Sequence, residues 1–462
     1  MIAPVQSNPQ RETSLMPITP LRCRRPDSAF ALLALMTFHP TLLAGGIYVP
    51  MKGATATGLA NVGLTSSARD GSTLFYNPAG MTRLGGTFVE IGIDAINADI
   101  AVDNRGSRAG TLGTGGQERP YAGSRGHGDG WIPVPNLFLG TPIMDGRVWM
   151  GLAVTAPFGL QLDYGPEWFG RYDSYDNSIQ TLDIAPTLAY RINEAWSIGG
   201  GIDVQYADAE LISALPDPLN PGGPTPATDG RSKLTGDGWD TGFNIGLLYQ
   251  PSEQTRVGLH YRSGMGHLLK GSAEVSGLSG PLAAANGRSN ARTRLDLPDI
   301  LSLSLTQAVT PQLTLMGEVQ WFGWDALEEI RVRFANGTPD LVRPQGFENT
   351  FTVGLAAEYA LDSRWTLRGG IQYDQSPTTD ALRNTSIPDS DLLWLGVGAS
   401  YGVSERLRLD VGYAYGIFER ADIDLTLPFY GGSPLESSVE VRGETDSHVD
   451  VLSLSVSYRF GG

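Results

Sequence analysis

From Gly86 onward, large apolar side chains occupy every second position of one short segment after another. Near the end, Leu452, Leu454, Val456, Tyr458 and Phe460 alternate with Ser453, Ser455, Ser457 and Arg459. Leu407, Leu409, Val411, Tyr413 and Tyr415 alternate with Arg408, Asp410, Gly412 and Ala414. Trp196, Ile198, Ile202, Val204 and Tyr206 alternate in the same way, as do Trp365, Leu367, Ile371 and Tyr373. A period of two puts successive side chains on opposite faces of a strand. One face is aliphatic with aromatic ends, and the other is small, polar or charged. A soluble sandwich alternates too, but here the links also alternate in length. The short links "INEA", "PSEQ", "TP", "LDS" and "VSE" take turns with long Gly-, Pro- and Asp-rich stretches. Those stretches fall near 101–130, 158–178, 213–236, 276–292, 335–346, 376–390 and 421–446. Short turns on one side, long loops on the other and aromatics at strand ends describe an outer-membrane barrel. The pattern therefore predicts an all-β chain, a transmembrane antiparallel β-barrel of about fourteen strands spanning residues 86–462.

Composition narrows the alternatives. The 59 glycines and a charged fraction of only 18% suit many turns and lightly charged strands. No run of 18 apolar residues occurs, so helical membrane spans are not expected. A net charge of -16 argues against nucleic acid as a partner. Residues 1–44 read as an export signal, with Met16 as an alternative start. Arg22, Arg24 and Arg25 precede the apolar run "AFALLALMTF", and "LLAGG" offers cleavage after Ala44. The single cysteine, Cys23, precedes that run, which leaves an exported chain with no thiol.

Between the signal and the first strand, residues 45–85 are rich in Gly, Ala, Ser and Thr. This stretch is too polar to span a membrane and short enough to sit inside a barrel, and Phe75, Tyr76 and Met81 give it something to bury. A plug, or hatch, in the lumen is the expectation. The lumen-facing set includes Asp183, Arg191, Asp203, Glu318, Glu358, Arg368, Asp374, Arg408 and Asp410, which are expected chiefly to pair with one another across the wall. Enzymatic readings lack parts. There is no G-x-S-x-G or P-loop motif, and His127, His260, His267 and His448 are scattered. No enzyme activity, metal site or cofactor is expected.

The blocks "ATGLANVGLTSSARDGSTLFYNPAGM", "TAPFGLQLDY", "TLDIAPTLAYRINEAWSIGGGIDVQYADAEL", "GFNIGLLYQPSEQTRVGLHYRS" and "IPDSDLLWLGVGASYGVSERLRLDVGY" follow one another in that order. In them the chain resembles the FadL family of outer-membrane transporters for long-chain fatty acids and related hydrophobic compounds. Asn77, Pro78 and Ala79 stand at the family's NPA motif. The resemblance implies capture of substrate between two outer loops, here 213–236 and 276–292, an internal pocket, and sideways release into the outer leaflet beside a kinked third strand. It places Ile47, Tyr48, Phe75 and Tyr76 at the pocket and hatch, with Ile47 at the family position whose movement opens the pocket. For Phe75 and Tyr76, plain plug packing fits the residues equally well. Pro157, Phe158 and Gly159 mark the kink, because Pro cannot donate to a ladder and Gly weakens it. An ordinary strand end leading into a loop suits those residues as well. The implied role is passive uptake at the outer membrane of a Gram-negative bacterium, by a monomer contacting outer-membrane lipid and lipopolysaccharide. Uptake of aromatic hydrocarbons is the alternative within the class, and a structural or adhesive barrel the alternative outside it.

Overall fold

The computed structural model describes Met1 and residues 46–461. The export signal expected over 1–44, with Cys23 and the cleavage site at Ala44, otherwise lies outside the described residues.

Fourteen antiparallel strands close into one barrel. They are β1 (Thr87–Asn104), β2 (Trp131–Ile143), β3 in two pieces (Val148–Thr155 and Gly159–Asp163), β4 (Asp176–Arg191), β5 (Trp196–Leu215) and β6 (Gly230–Tyr249). Then come β7 (Thr255–Arg262 and Met265–Ser276), β8 (Gly287–Leu297 and Ile300–Ala308), β9 (Leu313–Phe322) and β10 (Thr350–Ala360). The set ends with β11 (Trp365–Asp374), β12 (Leu392–Gly402), β13 (Leu407–Phe418) and β14 (Ser437–Phe460). Each strand pairs with its sequence neighbour, and β14 returns to β1 in a register running from Thr87↔Phe460 to Asn104↔Gly443. Closure pairs the first strand with the last, so neither is left as a free edge in lipid.

The alternation read from the sequence is the alternation of the wall. Leu301, Leu303 and Leu305 on β8, Leu355 on β10 and Leu452, Leu454 and Val456 on β14 are exposed outward, while Ser453, Ser455 and Ser457 between the last three are buried inward. Aromatic pairs stand at both ends of this apolar band. Trp196 stacks on Tyr249 at 4.2 Å and Trp365 meets Tyr401 at 4.7 Å beside the short turns, while Tyr206 and Trp239 meet at 5.2 Å on the loop side. Among the described residues no helix is long and apolar enough to cross a membrane. The strands do the crossing.

Two of the long stretches are shorter than the sequence pattern suggests. β5 and β6 extend outward to Leu215 and from Gly230, so 213–236 narrows to a connection of 216–229. β7 and β8 likewise reduce 276–292 to 277–286. The ladder continues there through Arg231, Ser232 and Lys233 and through Arg288 to Arg292, beyond the apolar band. With no lipid to demand an apolar face, the period of two fades from the sequence although the backbone still pairs.

Inside the barrel, residues 46–86 form three short helices, α1 (Ala54–Gly58), α2 (Leu64–Ser67) and α3 (Thr73–Tyr76), and a 3-10 helix, Pro78–Arg83. Almost all of this segment is buried. Wall glycines permit the approach: a Cβ on Gly246 of β6 would lie 2.0 Å from the Asn77 side chain. The lumen charges divide their bonds. Asp183 and Asp203 share Arg262, and Arg368 meets Glu358 and Asp410, wall to wall as expected. Others reach inward instead, Glu318 accepting from Thr65 Oγ1 at 2.6 Å and Arg408 standing 3.5 Å from Asp70.

Candidate functional site

The site is built where β3 breaks. Its first piece pairs with both β2 and β4, but Gly159–Asp163 pairs with β4 alone. The β2 residues 131–136 therefore have no ladder to β3 on that side. Pro157 has no N–H to offer a neighbour, which ends the regular strand. Thr181 of β4 bridges the interruption, accepting from Phe158 N at 2.9 Å and donating to Phe158 O at 2.6 Å.

On the lumen side the break is filled by the start of the inner segment. Val49 N donates to Pro157 O at 2.9 Å, and Gly159 N donates to Ile47 O at 2.9 Å. Tyr48 thereby faces Phe158 as an antiparallel bridge, their rings 5.6 Å apart. Tyr48 also packs on Phe322 at 5.1 Å, and Phe158 meets Trp324, which meets Phe347, so an aromatic run crosses the lumen. The three residues Ile47, Tyr48 and Val49 act on the wall as an added strand.

Behind them, Tyr76 Oη donates to Pro50 O at 2.7 Å and accepts from Lys52 N at 3.0 Å. The Lys52 ammonium donates to Val49 O and lies 5.2 Å from the centre of the Phe75 ring. The Arg262 guanidinium lies 4.3 Å from the centre of the same ring and donates to Phe75 O at 3.2 Å. Phe75 and Tyr76, with Tyr48, His260 and Arg262, line a small cavity, where His260 Nε2 is buried without a hydrogen-bond partner. Asn77 caps the 3-10 helix, its Oδ1 accepting from Ala79 N at 3.1 Å. Its amide donates to Thr65 O at 2.8 Å and to Leu247 O of β6 at 3.1 Å. Pro78 and Ala79 lie against Gly199 of β5.

Above this layer lies a larger apolar cavity of about 840 Å³, counting its open mouth. Leu160 of the broken β3, Ile179, Leu211, Leu269, Leu295 and Ile387 supply much of its wall. Arg343, Gln345 and Ser386 are among its polar groups, with Asn177, Glu210 and Ser272. Arg343 is fixed by Asp173 at 3.3 Å, and Asp173 also accepts from Thr385 N at 2.8 Å, which joins three loops over the cavity. Of the stretches 213–236 and 276–292 expected to form the capture groove, Leu234, Thr235, Gly236, Ala291 and Arg292 line this cavity from paired strand, while the connections 216–229 and 277–286 do not. They approach one another outside it, at Leu219 and Gly280.

The inner segment is also pinned from a loop. Asp389 Oδ2 accepts from Gly46 N at 3.2 Å and from Ser376 Oγ at 2.6 Å. Burial pushes this carboxyl up to about 7, against the pull of the Ser376 and Gly46 hydrogen bonds. The folded chain then keeps a proton that the unfolded chain releases near its ordinary value of 3.8, so stability falls as pH rises from there through about 7. Asp389→Asn is expected to remove part of that decline from the thermal midpoint followed between about pH 5 and 8. Parallel curves for parent and variant would remove Asp389 from this role.

The sequence reading did not single out Arg262, Thr181, Trp324 or Asp389. Arg262 was within reach, because it follows Gly258 and His260 on the inward phase of β7, opposite Leu259 and Tyr261. Trp324 and Asp389 sit in connections with no period to read. Among the described residues no cluster of side chains suits a metal ion.

Known proteins share this architecture. A crystal structure of a Pseudomonas aeruginosa FadL homologue superposes with a TM-score of 0.78 at 23% identity, covering 90% of this chain and all of the other. The Pseudomonas putida toluene transporter TodX superposes at 0.65 with 18% identity, covering 89% and 99%. In sequence, the chain is 28% identical over 374 residues to the long-chain fatty acid transport protein of Escherichia coli O6:H1, covering 75% of this chain and 81% of the relative. It is 26% identical to outer membrane protein P1 of Haemophilus influenzae, covering 80% and 88%. The sequence model of one family spans residues 35–460, nearly the whole chain, and the protein therefore belongs to the outer membrane protein transport family (OMPP1/FadL/TodX) of the Gram-negative outer membrane.

Proposed function

We propose that the protein is a passive outer-membrane channel for hydrophobic molecules, long-chain fatty acids first among them. The observation that carries this reading is the apolar cavity whose wall includes Leu160, one residue past the β3 break. An acyl chain held there gains about 0.8 kcal/mol per buried CH₂. An aqueous route to the periplasm would forfeit that gain, while passage through the break into lipid keeps it. The carboxylate would meet the guanidinium of Arg343, with Gln345 and Ser386 as further polar lining. Residues 46–86 act as the hatch in this reading, and Ile47, Tyr48 and Val49 as its movable edge. Tyr48, Phe75 and Tyr76 line the inner cavity, and Asn77, Pro78 and Ala79 hold the fixed turn. Pro157, Phe158 and Gly159 frame the exit.

Uptake of radiolabelled oleate, toluene and a disaccharide should be compared in cells whose own uptake channels are deleted. Expression is expected to raise oleate entry several-fold and leave disaccharide entry unchanged. Entry of toluene but not oleate would favour an aromatic substrate, in keeping with the toluene transporters that share the fold. Equal entry of all three would remove the hydrophobic path.

A further inference from the structure

A second feature lies on the outer face of the barrel, where Arg292, Thr293 and Arg294 are shared with the wall of the apolar cavity. The outer part of β8 and the hairpin formed by Glu329–Phe334 and Leu341–Pro344 enclose a groove of about 880 Å³, counting its open side. Arg292, Arg294, Arg331 and Arg333 line it, with Leu268 of β7 at its base. The register sets Lys270 opposite Arg292, and Arg292 opposite Arg333, so three cations stand in one hydrogen-bonded row. Like charges directly opposite one another destabilise a sheet unless an anion sits between them.

The carboxylates nearby do not cancel this row. Asp296 is taken by Arg294 at 2.6 Å and Glu329 by Arg331 at 2.7 Å. Asp340 stands 3.5 Å from Arg331 and 3.7 Å from Arg333. Asp237 is opposite Lys270 on the other side. Arg292 has no ion-pair partner within 4.0 Å among the described residues. Of the four arginines lining the groove, Arg292 alone is left without a carboxylate among the described residues and is the one open to an anionic partner.

Depth identifies the partner. Trp239 pairs with Tyr206 at the loop-side aromatic girdle, and Asp237, two residues further out on β6, is level with Lys270 and so with Arg292. Arg292 and Arg333 stand one pleat beyond the girdle, at headgroup level, and Arg294 stands opposite Leu268. Leu268, opposite Arg294 and below Arg292, is 47% exposed, and Leu301 and Leu303 continue the apolar wall. We propose that this groove binds the phosphorylated headgroup of an outer-leaflet glycolipid, that is, lipopolysaccharide, with an acyl chain laid on Leu268 and Leu301. Guanidinium groups in a fixed fork match phosphate oxygens two at a time. Free phosphate could use the arginines but would leave the apolar base unused, so the lipid is the occupant.

The full-length protein in detergent should be titrated with lipopolysaccharide, with the same lipid after enzymatic dephosphorylation, and with inorganic phosphate, reading native mass spectra and the thermal midpoint. Intact lipopolysaccharide is expected to bind and to raise the midpoint, and the other two not to. Arg292→Gln with Arg333→Gln should weaken binding about tenfold or more. Asp296→Asn with Glu329→Gln, which frees Arg294 and Arg331, should strengthen it. The second variant decides the question if the first does not fold. Equal binding of the dephosphorylated lipid, an equal response to inorganic phosphate, or an affinity unmoved by the carboxylate pair would each overturn the proposal.

Discussion

Oxidation of a Tyr48→Cys, Phe158→Cys variant is expected to abolish hydrophobic uptake, and reduction to restore it. The bonds from Val49 N to Pro157 O and from Gly159 N to Ile47 O flank this pair rather than join it. Tyr48 and Phe158 are therefore a non-hydrogen-bonded antiparallel pair, in which Cα atoms lie about 4.5 Å apart. That separation falls within the range a disulfide spans. The only natural cysteine, Cys23, lies ahead of the expected cleavage site, so a chain cut there would offer no competing thiol. The crosslink fixes the first residues of the inner segment across the break in β3 while leaving every barrel ladder intact. The reduced variant is its own control, since the lost aromatic contact is common to both states. Labelled oleate entry would be followed before and after oxidation, with crosslinking checked by thiol labelling. Equal entry in the two states would mean that Ile47, Tyr48 and Val49 need not leave the break, and the exit would have to be sought elsewhere.

That experiment could not have been designed from the sequence, although most of the barrel could be read there. The alternation of Leu452 to Phe460 with serines becomes the outer and inner faces of β14 because lipid on one side and packed polar atoms on the other enforce it. Where the strands rise past the lipid, as from Gly230 to Lys233, that pressure is gone and the strand ends become illegible. The site divides in a similar way. Pro157 and Gly159 announce a break, because their backbone chemistry is local. The partner of that break, 110 residues away in sequence at Val49 and Ile47, is a matter of tertiary fold. Arg262 could have been found by phase alone. Its contact with Phe75, which ties β7 to the inner segment, could not.

Asn77→Ala is expected to unseat the inner segment without unfolding the barrel, raising conductance to small ions while lowering hydrophobic uptake. The side chain joins three places at once, the Ala79 N–H at the start of the 3-10 helix, Thr65 O beside α2 and Leu247 O in the wall. The first two are buried and the third half-buried, and a buried group left without a partner costs about 1–3 kcal/mol. The wall tolerates the loss because its own ladder is complete, Leu247 remaining paired with Ile198 and Leu259. The penalty falls on the segment, whose helices of four to six residues cannot hold themselves together. Asn77→Asp separates the bonds. It keeps an acceptor for Ala79 N but loses both amide donations and turns an acceptor toward Thr65 O and Leu247 O, so it should leak at least as much as the alanine. Planar-bilayer conductance and oleate uptake would be measured on the same preparations, with heat-modified gel mobility reporting the barrel. If both variants conduct and transport like the parent, Asn77 only fills space and the segment is held by its other contacts. If aspartate behaves like the parent while alanine leaks, the helix cap is the bond that matters, and the link to β6 is dispensable.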